Sequence, residues 1–308
     1  MPPWSYRGTM TVSLSYFQAI VMGLLQGITE LFPVSSLGHG VLVPALFGWH
    51  NLVSSQTAKQ SFFLTFLVGL HVGTALGLIA YYRATWARLL RAGVAHVTRV
   101  RTDGVAVLWR INDEGVAPDY RLIALLIVGT IPVGVVGLVL EKPLRELFAK
   151  PLSAALFLVL NALILLVGER LRRQQGRRVA HLAEEAMPVS SALRIGSSQI
   201  LALFAGISRS GASIVTGVSS GLSYEGAANF SFLLATPIIL LAGLYKLPSL
   251  FGAAGDGVRL QTLVGAIVAA IAAYVSVSFL SRWFKTKTLR PFALYCLVVG
   301  LLCVVRFA

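Results

Sequence analysis

Two short polar stretches interrupt an otherwise apolar chain, and each holds residues able to do chemistry. In the first, QGITELFPVSSLGHG at 26–40, Gln26 and Glu30 stand four residues apart. They therefore share a helix face, where together they can grip a cation or a water. Pro33 stops that helix, and Ser35, Ser36 and His39 follow in a segment whose Gly38 and Gly40 permit a tight backbone. Glu30 is the most informative of these residues. A carboxylate at the bilayer centre costs roughly 2.5–3.5 kcal/mol even on the lenient insertion scale, so a partner or a function must offset it. His39 taken alone reads equally well as a ring satisfied by a carbonyl at a helix end. Its place across a Pro-Ser-Ser break from Glu30 turns the reading toward function. Gln26 without Glu30 would be a residue that glues helices together.

The second stretch, LFAGISRSGASIVTGVSSG at 203–221, supplies the opposite charge. Arg209 stays protonated, and its planar fork matches two oxygens of a phosphate at once. Ser208 and Ser210 flank it, and Ser213 lies one helical turn further on the same face. A half-helix starting here would add its free amides to the attraction for an anion. Ser197, Ser198, Ser219 and Ser220 read as small residues packing between helices. A buried structural ion pair between Arg209 and Glu30 is the competing account of both charges.

The elements that must position these groups follow from composition. Of 308 residues, 56% are hydrophobic and 12% charged, and the mean hydropathy is +0.78. That balance describes a chain whose main solvent is lipid. Apolar runs near 62–82, 121–140, 152–169, 228–247, 258–280 and 290–307 each approach or exceed the roughly 20 helical residues that cross a hydrocarbon core. The run near 14–33 lacks a small-residue cleavage site and leads straight into the polar stretch, so it belongs to the mature fold. Cys296 and Cys303, seven residues apart on one helix face, read as packing or lipid-facing residues.

The net charge of +14 does not sit on a nucleic-acid-binding module. Arginines and lysines gather at 83–121, 170–194 and 281–290, which the positive-inside rule assigns to the cytoplasm. The sparser loops 48–61, 141–151 and 248–257 then face outward, and both termini with them. On this count 10–50 begins and ends outside, while 195–222 begins and ends inside. Both are read as re-entrant helix pairs entering from opposite faces, since broken backbone at membrane depth needs protein or a water-filled cavity around it. Such paired interruptions point to an inverted repeat with a site between its halves. The expected fold is a single all-α polytopic membrane domain over 1–308, with about six transmembrane helices and two re-entrant pairs. The loop 85–120 is an insertion in which GVAVLWRINDEG reads as a small hairpin of no assigned role.

The pattern Gln26-x-x-x-Glu30, the run PVSSLGH at 33–39, GISRSGAS at 206–213 and FSFLLATP at 230–237 together resemble the undecaprenyl-diphosphate phosphatase family of bacterial inner membranes. Their order, separation and membrane setting agree, and the similarity covers nearly the whole chain apart from 85–120. The resemblance implies hydrolysis of a C55 polyprenyl diphosphate to the monophosphate carrier and inorganic phosphate, at a site opening to the extracytoplasmic side. It also implies a divalent cation. Two positions depart from the family pattern: Ala205 stands where proline is common, and Ser213 where threonine is common.

Carried onto this sequence, the resemblance has Arg209, Ser208, Ser210 and Ser213 hold the diphosphate, with Ser35 as a further substrate contact. Glu30, helped by Gln26, would hold Mg²⁺ or Ca²⁺. His39 would be general base or acid, and Ser36 a nucleophile activated by His39 or a phosphate donor. The expected partners are the polyprenyl diphosphate lipid and the membrane, with a homodimer left open and no nucleic acid. A secondary transporter or flippase of an anionic lipid is the alternative, since it too explains paired breaks with charges at the midplane. A phosphatidic-acid-type phosphatase is set aside, because its chemistry needs a histidine downstream of the Ser-Arg pair and none follows His181.

Overall fold

The structure is a computed structural model and describes residues 14–49, 51–52, 62–109, 111, 115–148, 150–175, 183–252 and 255–308. The described residues are helical or irregular and contain no strand. Among the described residues six helices are long and apolar enough to cross a membrane: Phe62–Tyr81 (α3), Pro118–Leu140 within α6 (Pro118–Phe148), Pro151–Gln174 within α7 (Pro151–Gln175), Tyr224–Tyr245 within α10 (Tyr224–Phe251), Arg259–Thr286 (α11) and Arg290–Phe307 (α12). They match the six apolar runs of the sequence, with ends displaced by a few residues.

Two helix pairs are too short to span. The 14 residues of α1 (Tyr16–Thr29) reach about 21 Å and the 11 residues of α2 (Ser36–Leu46) about 16 Å, against a hydrocarbon core of about 30 Å. The second pair is α8 (Val189–Ser198), continued by a 3₁₀ turn over Gln199–Leu203, and α9 (Arg209–Ser219). Three long helices separate the two pairs, so they enter from opposite faces. Packing follows the same exchange. α1 lies along α11, the second long helix after the second pair, and α8 lies along α6, the second long helix after the first.

Glycines set those approaches. A Cβ at Gly23 would come within 2.4 Å of the Gly265 carbonyl in α11, and one at Gly196 within 2.0 Å of the Gly129 carbonyl in α6. No larger residue allows the backbones to lie this close. The interior they close is lined by leucine, alanine and phenylalanine, with Phe230, Phe232 and Phe284 fully buried. Cys296 and Cys303 are free and buried within α12, which makes them packing residues.

The insertion corrects one expectation. Its described residues fold as α4 (Arg83–Thr98), α5 (Val100–Asp103) and a 3₁₀ turn over Val105–Trp109, so the first limb of the expected hairpin is helical, while 110 and 112–114 lie outside the described residues. The buried ring of His96 settles this local choice: it stacks on Tyr120 of α6 at 3.5 Å and bonds the Val107 carbonyl, tying helix, turn and α6 together. The basic loops meet on one face, where Arg290 and Arg173 approach Glu169, each at 3.6 Å, and Lys285 approaches Glu225 at 3.6 Å.

Candidate active site

The two breaks meet in the interior. α1 ends at Thr29 and Glu30 caps it. Gly27 sinks this end against α11, because a Cβ there would lie 2.4 Å from the Ala269 carbonyl. The chain turns through Leu31–Val34 to Ser35, which takes φ 72°, the one positive φ outside glycine among the described residues. A serine in the left-handed region holds strain that surrounding contacts must maintain. Those contacts are on hand: Ser35 Oγ accepts from the Gly38 amide at 3.2 Å, capping α2, and from the Gly206 amide at 3.1 Å.

The second break is built alike. Gly206, at φ 117°, lies so close to α7 that a Cβ would sit 2.4 Å from the Ala154 carbonyl. Ser208 caps α9 by accepting from the Gly211 amide at 3.0 Å. Asn161 of α7, fully buried, locks the breaks together. Its Nδ2 donates to the Pro33 carbonyl at 3.0 Å, and its Oδ1 accepts from the Ser208 amide at 2.9 Å. Two half-helix N-termini are thus held side by side, one from each half of the chain.

Glu30 is the hub of the charged groups. Its Oε1 accepts from Arg209 Nε at 3.1 Å, and its Oε2 accepts from Gln26 Nε2 at 3.1 Å and from Ser36 Oγ at 2.5 Å. His71 of α3 brings Nε2 to 3.6 Å from Oε2, while its Nδ1 is held by the Leu67 carbonyl at 2.8 Å. Arg209 also donates from Nη1 to the Ser231 carbonyl at 3.3 Å. Its Nη2 is buried and has no acceptor among the described residues. An ion pair serving stability alone leaves no reason for an orphaned guanidinium nitrogen, since each buried donor without a partner carries a desolvation cost.

The fold therefore brings Gln26, Glu30, Ser36 and Arg209 into one cluster and separates others of the expected site residues from it. His39 is buried with both ring nitrogens engaged: Nδ1 with the Ser35 carbonyl at 2.7 Å, Nε2 with the Tyr295 hydroxyl of α12 at 2.8 Å. The expected Ser36–His39 couple is replaced by Ser36–Glu30, because His39 lies along α2 with its ring stacked on Tyr295. Ser208 and Ser210 share a hydrogen bond at 3.0 Å, and Ser210 donates to the Phe32 carbonyl at 3.3 Å. Ser213 donates to the Arg209 carbonyl and pairs with Ser231 Oγ at 3.0 Å. These three hydroxyls are buried and join backbone to backbone, whereas Ser36 is only half-buried.

Three residues absent from the sequence reading belong here: His71, Asn161 and Tyr295. The first two carried the same signal as Glu30, a polar side chain inside an apolar span. Tyr295 carried none, since a tyrosine near a helix end is ordinary in membrane proteins.

As to a cation, no three His, Cys, Asp or Glu side chains converge on a metal-binding cluster among the described residues. Glu30 and the Gln26 amide oxygen offer two oxygen ligands. That donor set fits a hard cation taking its remaining ligands from phosphate and water, as Mg²⁺ does at phosphate sites.

The chain matches the family described as bacitracin resistance protein BacA over residues 19–302. It is 46% identical to undecaprenyl-diphosphatase 2 of Frankia alni, covering 96% of this chain and 98% of that protein. It is 47% identical to undecaprenyl-diphosphatase of Mycobacterium avium, over 94% and 97%, and 42% identical to undecaprenyl-diphosphatase 2 of Burkholderia lata, over 94% and 96%. The chain therefore belongs to the BacA family of bacitracin resistance proteins.

Proposed function

We propose that this protein hydrolyses undecaprenyl diphosphate to undecaprenyl phosphate and inorganic phosphate, returning the lipid carrier to peptidoglycan synthesis. The observation that carries the reading is Arg209. Its Nε and Nη1 are fixed by Glu30 and Ser231, Glu30 also holds the Ser36 hydroxyl, and the Arg209 Nη2 is buried without an acceptor among the described residues. A guanidinium held in this way is pre-oriented for phosphate oxygens and for the charge that develops on them during transfer.

In this proposal the terminal phosphoryl group binds at Nη2 and over the paired N-termini of α2 and α9. Ser36 Oγ attacks its phosphorus, the Oγ–P bond forms as the bridging P–O bond breaks, and the lipid monophosphate leaves. The Ser36 proton passes to Glu30, which already accepts its hydrogen bond. Water then cleaves the phosphoserine and releases phosphate. Ser35, Ser208, Ser210 and Ser213 hold the two breaks in register, and His39 with Tyr295 fixes the Ser35 carbonyl. Glu30 with Gln26 would hold a Mg²⁺ or Ca²⁺, which when bound supplies positive charge to the phosphate oxygens. The prenyl chain would lie between helices whose outer faces expose leucine and valine.

The Ser36–Glu30 hydrogen bond favours hydrolysis over lipid carriage, because a carrier needs an anion-binding arginine but no hydroxyl held on a carboxylate. The same reading places the protein in the bacterial inner membrane, with the site opening away from the face where the basic loops gather. Whether it forms a homodimer is to be read from its mass in detergent. The test of function is phosphate release from undecaprenyl diphosphate by the purified protein, with and without chelator. Absence of release with Mg²⁺ or Ca²⁺ present overturns the enzyme reading, and undiminished release in chelator removes the cation from it.

A further inference from the structure

The insertion is unused by the reading above, yet α4 has a composition and placement of its own. From Arg83 to Thr102 the chain carries Arg83, Arg88, Arg91, Arg99 and Arg101 and no acidic residue. One face of α4, marked by Leu89 and His96, is buried against the rest of the protein. A second face presents Leu90, Val94 and Val97, at i, i+4 and i+7, exposed to 56%, 66% and 55%. A helix surrounded by water would gain nothing from such a stripe.

Contacts with α6 fix how the helix lies. Arg88 meets Asp119 at 3.6 Å, a Cβ at Gly93 would touch Ile123 at 3.8 Å, and His96 stacks on Tyr120. Contacts spread over nine residues of α4, about 12 Å of helix, thus fall within five residues at the start of α6. α4 crosses the first turns of a spanning helix instead of running along it. It also begins two residues after α3 ends at Tyr81. Both neighbours put it at the level where spans leave the hydrocarbon.

We propose that α4 is an interfacial helix that binds anionic lipid headgroups in the leaflet on the basic-loop side, sinking Leu90, Val94 and Val97 to the headgroup–acyl boundary. Arg83 and Arg91, which border this stripe, supply the headgroup contacts. Among the described residues neither has a carboxylate partner; each bonds only a carbonyl of its own helical stretch, Ala80 and Ala87 respectively. Arginine stems can lie along the apolar stripe while their forks reach lipid phosphates, the combination that holds basic amphipathic helices on anionic membranes. The proposal is independent of the phosphatase reading.

The test uses the full chain in nanodiscs of phosphatidylcholine, with or without phosphatidylglycerol, carrying a nitroxide at L90C, V94C, A95C or T98C. The native Cys296 and Cys303 are buried and leave these surface sites as the reactive ones. Labels at 90 and 94 should be several-fold more accessible to oxygen than to a water-soluble nickel complex, with the order reversed at 95 and 98. Phosphatidylglycerol should lower label mobility at 94 in the otherwise unaltered protein and leave it unchanged in the Arg83→Gln/Arg91→Gln variant. A label at 94 as open to nickel as that at 95 overturns the proposal. So does a label shielded from both reagents, which would mean that protein covers the stripe, and so does indifference to phosphatidylglycerol.

Discussion

Gln26 and Gln199 occupy the same place in the two breaks, each nine residues before the serine that caps the following half-helix, yet among the described residues only Gln26 has a partner. Gln26 donates to Glu30, whereas both polar atoms of Gln199 are buried without a hydrogen bond among the described residues. Position 30 is a glutamate, while its counterpart, position 203, is Leu203. The repeat has thus kept the frame in both halves and the carboxylate in one. Replacing an unsatisfied buried amide by an apolar side chain of similar size is neutral or stabilising. Gln199→Leu should therefore raise the unfolding temperature and Gln26→Leu should lower turnover, as measured by thermal unfolding and phosphate release in one detergent. A fall in stability for Gln199→Leu would show that this amide is held in the membrane by an ordered water.

Arg209→Lys separates phosphate recognition from charge pairing with Glu30. Lysine can still face Glu30, but a point charge on a flexible stem cannot hold Nε on the carboxylate, Nη1 on the Ser231 carbonyl and Nη2 toward a phosphate together. Expression and unfolding temperature should change little. Turnover should fall by about 10²–10³, the usual effect of losing a donor aimed at developing charge. Near-normal turnover would return Arg209 to a structural role.

Much of this was legible in the sequence because lipid makes charge conspicuous. Glu30 and Arg209 announced themselves by their cost, and the six spans by length and hydropathy. The start of GVAVLWRINDEG reads as a strand by its local turn signals, whereas the 3₁₀ turn over Val105–Trp109 is tied to His96, which meets Tyr120 from an element 24 residues away. The partner of Ser36 was hidden for a related reason: its hydroxyl bonds Glu30, while the ring of His39 bonds Tyr295. Sequence spacing showed that Ser36 and His39 are near each other, but the direction of the ring depends on Tyr295, which lies 256 residues away. Polar residues inside spans, such as His71 and Asn161, were as readable as Glu30 and deserved the same weight.

Glu184 provides a pH dependence distinct from that of the Glu30–Arg209 cluster. It lies outside the spans, in a cleft with Tyr82, Arg88, Asp119 and Asn229, and burial pushes its carboxyl from 4.5 up to about 7; a hydrogen bond to Asn229 opposes this, and Glu185 and Glu225 add to it. The folded state binds the proton more tightly than the unfolded chain does. This contribution is therefore complete below about pH 4.5 and lost as pH rises through about 7. Glu184→Gln should unfold at a higher temperature than the unaltered protein at pH 8 and at the same temperature near pH 4.5. An equal difference at both pH values would show that titration is not the cause.

His39 and Tyr295 are expected to act through Ser35. Their hydrogen bond at 2.8 Å and the bond from His39 to the Ser35 carbonyl brace a serine held at positive φ. Tyr295→Phe removes one hydrogen bond, a loss of about 0.5–1.5 kcal/mol. It should lower the unfolding temperature by a few degrees and reduce turnover only a few-fold, with no change in the shape of the pH–rate profile. Loss of one limb of that profile would instead make His39 a proton carrier.

Ser36 decides between direct attack by water and a covalent intermediate. Its hydroxyl is the only one of the expected site serines that donates to Glu30, at 2.5 Å, and the only one not fully buried. Glu30 is held by three donors at hydrogen-bonding distance, so its orientation toward Ser36 is set before substrate arrives. If Ser36 is the nucleophile, acid quenching of the enzyme with undecaprenyl diphosphate labelled at the terminal phosphorus should trap label on protein, at the peptide containing Ser36. Ser36→Ala should trap none and should lose turnover at least as severely as Arg209→Lys, because the acceptor oxygen itself is gone. Should Ser36→Ala retain turnover within about tenfold, a loss of about 1.4 kcal/mol in transition-state stabilisation, the hydroxyl would be one phosphate donor among several and water the attacking group.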